Sequence, residues 1–139
     1  MEDDEMATFN LRNELVFRAP DRIGLLSDVA DRLLGHGVNV LALRGYEEEG
    51  EAVVLVYADD SQLARRALEE LDGETGAAPA IVARVPNRPG ELAAITSALS
   101  NANIEITQVY ATTFPECDEA VIVMHTANDV RAIDVLQKL

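Results

Sequence analysis

The chain has 139 residues with 25 acidic against 11 basic side chains, a net charge of −14 at pH 7. Such acidity argues against a nucleic-acid binder, whose phosphate partner needs a basic face, and no apolar run approaches the ~18 residues that span a membrane. A single cysteine, Cys117, leaves no internal disulfide and fits a reducing cytoplasm, where the chain is expected to reside.

Taken in order, Met1-Glu2-Asp3-Asp4-Glu5 is acidic, the reverse of a secretory signal, and residues 1–8 read as a tail. Asn10 to Ala19 reads as a strand centred on Leu15-Val16-Phe17. From Ile23 to Leu34, Leu25, Leu26, Val29, Ala30 and Leu33 fall at helical spacing, and Gly35-His36-Gly37 ends that helix. Strands are expected over 38–46 and 51–58, joined by the charged loop Glu47–Gly50. Asp60 or Ser61 opens a second helix with Leu63, Ala64, Ala67, Leu68 and Leu71 on one face. Residues 72–79, rich in Gly and Ala, read as a link with at most a weak edge strand. The order then recurs: strand 80–86, helix 89–100, strand 104–112, loop 113–118, strand 119–126, helix 128–138.

The recurrence is an internal duplication. Arg18, Pro20, Arg22, Gly24, Leu26 and Leu33 return 66 residues later as Arg84, Pro86, Arg88, Gly90, Leu92 and Leu99. Val38-Asn39-Val40 faces Ile104-Glu105-Ile106, and Glu51-Ala52-Val53-Val54 faces Glu119-Ala120-Val121-Ile122 after two extra residues. The expected division is a tail (1–8), a first repeat (9–72), a link (73–79) and a second repeat (80–139). At about 65 residues each repeat would be marginal alone. Each reads β-α-β-β-α, the ferredoxin-like βαββαβ order without its closing strand, so the expected fold class is α+β, an antiparallel sheet with helices on one face. The open sheet edge needs a cover, from a long first strand or from a second chain.

The turn at 84–92 organises each copy. Pro89 suits a first helical turn, Gly90 permits close approach to the backbone, and a helix start presents unpaired N–H groups to a carboxylate. The pattern Asn-Arg-Pro-Gly-x-Leu, then about twelve helical residues, then (Val/Ile)-Asn-(Val/Ile), resembles the ACT domain. That resemblance spans about residues 12–139 as two tandem copies without a catalytic domain. It implies amino-acid binding where two modules meet, at the first turn and the start of a neighbour's second strand. Carried over, the ligand-binding residues are Asp21, Arg22, Ile23, Gly24, Leu25, Leu26 and Asn39 in the first copy. In the second they are Asn87, Arg88, Pro89, Gly90, Glu91, Leu92 and Glu105. Asp21 and Ile23 stand where the motif has Asn and Pro, and Glu105 where it has Asn, so the copies need not be equivalent.

Each residue also has a plainer reading. Asp21 and Asn87 are good N-caps, Gly24 and Gly90 can serve helix–sheet packing alone, Arg22 and Arg88 can be solvated, and Asn39 can close a turn. No metal site, cofactor or catalytic constellation is expected, since His36, His125 and Cys117 lack partners at suitable spacing. The expected function is therefore a non-catalytic regulatory protein, a homodimer that senses an amino acid, with no nucleic-acid or membrane partner. The alternative is a regulatory subunit docking onto an amino-acid biosynthetic enzyme, similar to an acetolactate synthase small subunit. With Lys138 the only lysine against ten arginines, the acidity reads as salt adaptation or as codon bias with ordinary solubilising charge.

Overall fold

The computed structural model describes residues 7–139, so most of the expected acidic tail lies outside the described residues. The elements are β1 (Thr8–Pro20), α1 (Leu25–Gly35), β2 (Val40–Glu48), β3 (Glu51–Ala58) and α2 (Ser61–Glu69), followed by β4 (Glu74–Pro86), α3 (Glu91–Asn101), β5 (Ile106–Thr112), β6 (Glu119–Thr126) and α4 (Asp129–Leu136). The fold is α+β, with antiparallel strand pairs β1–β3, β2–β3, β4–β6 and β5–β6.

The chain divides into two compact units. The first is Asn13–Ala78; the second holds the described residues up to Arg12 and then Pro79–Leu139. Strand order is β2-β3-β1-β4 in the first unit and β1-β4-β6-β5 in the second. Both orders are ferredoxin-like, because each 13-residue strand is divided between the units. The start of β4, residues 74–78, serves as the closing strand of the first unit, and the start of β1 serves as that of the second. The stretch expected as a link at 73–79 is therefore strand from Glu74 onward. Its Gly-, Ala- and Pro-rich composition concealed the β pattern. Of the two covers expected for the open edge, the long first strands are the one found.

Each unit has its own core. In the first, Leu15, Phe17 and Ala19 of β1 and Val54 and Val56 of β3 pack with Leu25, Val29 and Leu33 of α1 and Leu68 of α2. In the second, Phe9 joins Ile81, Ala83 and Val85 of β4, Ile95 and Leu99 of α3, Met124 of β6 and Leu136 of α4. Alternation along the strands and the i, i+4 spacing Leu25–Val29–Leu33 produce these faces. Gly73 sits so tightly against Phe17 and the Arg18 carbonyl that a Cβ there would lie 2.6 Å from the oxygen.

Local punctuation follows the residues. The hairpin tip expected over Glu47–Gly50 tightens to Glu49-Gly50, both at positive φ (53° and 82°), as a two-residue turn between twisted strands requires. Gly37, at φ 71°, ends α1 with bonds from Gly37 N–H to Leu34 O and Val38 N–H to Leu33 O. Asn103, at φ 59°, closes α3 the same way, bonding Ser100 O while Ile104 N–H bonds Leu99 O. Asp60 caps α2, accepting from the N–H groups of Gln62 and Leu63, and Asn128 caps α4 through Arg131 N–H.

Candidate functional site

The two strand-to-helix turns share one backbone path. In both, a left-handed glycine occupies the N-cap, Gly24 at φ 91° and Gly90 at φ 94°, and neither α1 nor α3 has a side-chain cap. L-residues resist that conformation, so the path calls for glycine. Asp21 and Asn87 are thus not N-caps, since each lies three residues before the glycine. Pro89 is not in the first helical turn either: the left-handed glycine delays the helix start to Glu91. Asp21 N–H bonds Gly50 O and Asn87 N–H bonds Asp118 O, both at 2.8 Å, tying each turn to its hairpin. Flanking ion pairs match as well, Arg18 with Glu51 at 3.3 Å and Arg84 with Glu119 at 2.6 Å.

The side chains differ. At the first turn Asp21 is exposed, and its carboxylate has no hydrogen bond or ion pair among the described residues. Arg22 reaches over Gly24 to Asp28 in α1. Ile23 is fully exposed and Leu26 half-exposed, whereas Leu25 is buried in the core. Asp21, Arg22, Gly24, Leu25 and Leu26 line an open cleft of about 330 Å³ with Gly45, Tyr46 and Glu47 of β2; Ile23 does not line it.

At the second turn Asn87 is half-buried, and its side-chain amide donates to Phe114 O (3.0 Å) and Cys117 O (2.9 Å), holding the 113–118 loop. Arg88 pairs with Glu91 at 2.6 Å. Both line a cavity of about 600 Å³, floored by Phe9, Val85, Ile95 and Leu136 with Ala94 on its wall. Pro89, Gly90 and Leu92 do not line that cavity, and Leu92 is half-exposed.

Asn39 and Glu105 lie away from these turns. Asn39 makes two hydrogen bonds with Asp59: its N–H donates to the Asp59 carboxylate, and its carbonyl accepts from Asp59 N–H at 3.0 Å. Glu105 O accepts from Ala127 N–H at 2.9 Å, and Glu105 lines a separate open cleft with Thr96, Ser100 and Asn103. The cavity is lined by Arg88 and Glu91, which the turn motif also contains, and by Phe9, Ala94 and Leu136, which it does not. Phe9 lies too far away in sequence for periodicity to find it. Ala94 had a visible signal, since it stands where the first copy has Asp28.

The fold places the chain among known structures. The structure is similar to protein BT0572 from Bacteroides thetaiotaomicron, with TM-score 0.84 and 23% identity over 92% of this chain and 88% of that one. It is also similar to the regulatory subunits of aspartate kinase from Thermus thermophilus (TM-score 0.70, 16% identity, 96% of each chain) and Thermus flavus (TM-score 0.62, 18% identity, 95% of each chain). At these identities the likeness is one of fold. No curated protein sequence matches the chain. The family model of the ACT domain matches residues 13–74, nearly the whole of the first compact unit. The chain thus contains one recognised ACT domain, over residues 13–74.

Proposed function

We propose that the chain is a non-catalytic regulatory protein of two ACT repeats, about 9–72 and 80–139 in sequence, that binds an amino acid and signals its level. The observation that carries this reading is the doubled turn. The same left-handed glycine, hairpin tie and flanking ion pair recur at Gly24 inside the recognised ACT domain and at Gly90 outside it. ACT domains bind amino acids, and regulatory subunits of aspartate kinase share this fold. The turn residues Asp21, Arg22, Ile23, Gly24, Leu25 and Leu26, and Asn87, Arg88, Pro89, Gly90, Glu91 and Leu92, form the proposed binding elements, with Asn39 and Glu105 at the second strands. The active form is a homodimer in which ligand bridges a module to a second copy and shifts the population of one arrangement.

A thermal-shift screen of the full chain against the common amino acids tests this. At 100 times its dissociation constant a ligand stabilises by about 2.7 kcal/mol, a shift of several degrees at this size. One chemical class raising the midpoint is the expected result, and silence across the panel contradicts the reading.

A second reading makes the chain a subunit that docks onto an amino-acid biosynthetic enzyme. Val40, Leu41, Leu43 and Tyr46 on β2 are exposed and favour a protein partner there. Capture of such an enzyme by the tagged chain, lost on substituting Leu41 and Leu43 by Lys, distinguishes it.

A further inference from the structure

The two copies diverge at two positions that the turn brings together. Leu25, only 4% exposed in the first core, corresponds to Glu91, and Asp28 corresponds to Ala94. The second copy has therefore placed a carboxylate where the fold favours leucine, and a methyl group where the first copy keeps the partner of its arginine. The Glu91 side chain is 22% exposed and is held by Arg88 at 2.6 Å. Drawing a carboxylate this far from water costs stability unless it is paired. Removing the Asp28 equivalent opens the wall beside it, and the floor below, Phe9, Val85, Ile95 and Leu136, is apolar and buried. At about 600 Å³ the cavity falls within the range of small-molecule sites.

From this geometry we infer that the cavity binds an aliphatic α-amino acid, whose two charged groups exchange partners with the Arg88–Glu91 pair. The proposal rests on the amino-acid-binding reading above and deepens it. Arg88 turns its planar guanidinium to the α-carboxylate, a geometry suited to two parallel hydrogen bonds. Glu91 accepts from the α-ammonium. One internal ion pair becomes two ligand ion pairs without change in net charge, and the aliphatic side chain covers the apolar floor. A simple amine or a simple carboxylic acid would meet only one of the two charges and leave the other unmatched. The first turn lacks this arrangement, because Arg22 is held by exposed Asp28 and Leu25 fills the core position.

Calorimetric titration of the full chain with L-valine, L-isoleucine, L-leucine and L-methionine tests the proposal. Isocaproate and isoamylamine serve as the two half-ligands of leucine. At least one of the four amino acids should bind, with both half-ligands at least about tenfold weaker. Glu91→Gln keeps the shape and removes the charge, and should weaken binding at least about tenfold. Ala94→Leu fills the cavity and should abolish binding. If that variant does not fold, Glu91→Gln decides alone. Wild-type affinity in Glu91→Gln would overturn the location while leaving amino-acid sensing intact. Binding confined to polar or acidic amino acids would overturn the ligand class. No binding by any of the common amino acids would overturn the reading beneath.

Discussion

Gly24 and Gly90 hold the same backbone, yet the groups around them are set for different work. At the first turn the residue after glycine is a core leucine, and Arg22 lies across the helix start to an exposed aspartate. At the second the residue after glycine is Glu91, turned with Arg88 onto a cavity. The polar residue preceding each turn differs too. Asn87 donates to two loop carbonyls, while Asp21 contributes only its backbone. Two turns can thus share a backbone requirement, which only glycine meets cheaply, while their neighbouring side chains differ in packing, pairing and exposure.

Substitutions can break this comparison, starting with the largest effect. Phe9→Ala should destabilise by about 3–5 kcal/mol, because Phe9 is buried in the core of the second unit. Leu11→Ala, at a side chain 42% exposed, should change stability by less than about 1 kcal/mol. Guanidinium unfolding separates the two, and equal effects would contradict the assignment of the start of β1 to that core. Gly73→Ala should cost about 1–3 kcal/mol by forcing the Arg18 carbonyl and the Phe17 ring aside, whereas Gly76→Ala, where an added Cβ meets nothing, should not. Asn87→Ala should cost about 1–3 kcal/mol through two lost hydrogen bonds. Its counterpart Asp21→Ala should stay within about 0.5 kcal/mol, as thermal melts would show. Gly24→Ala and Gly90→Ala should each cost about 1–2 kcal/mol, and by similar amounts, since neither Cβ meets a clash and only the left-handed φ is penalised. The smallest change carries the opposite sign. Glu91→Leu should stabilise by about 0.5–1 kcal/mol while removing amino-acid binding, the pattern of a site that gives up stability for recognition.

Much of this was legible in the residues. Helical spacing located α1 and α2, the recurrence of the order located α3 and α4, and the repeated Arg-x-Pro-x-Arg-x-Gly located both turns. What was not legible has physical reasons. The start of β4 reads Glu-Thr-Gly-Ala-Ala-Pro, a poor strand by propensity that forms because β1 lies beside β4 in the sheet and bonds its backbone. Asp21 and Asn87 looked like caps because Asp and Asn favour that role, but the left-handed glycine moved the helix start beyond their reach. Leu25 and Leu26 look alike in sequence, yet one is core and the other surface, which only helix phase decides. Glu91 is legible as part of its turn, but the cavity it lines also takes Phe9 and Leu136, residues far apart in sequence that the fold brings together.

The most direct measurement is a ¹⁵N-resolved NMR titration of the full chain with L-leucine, following backbone amides at both turns. The largest shifts are expected at Arg88, residues 90–95 and Phe9, with the amides of 22–26 little changed. Shifts centred on the Gly24 turn, or no shifts at saturating leucine and at saturating levels of the other aliphatic amino acids, would contradict it.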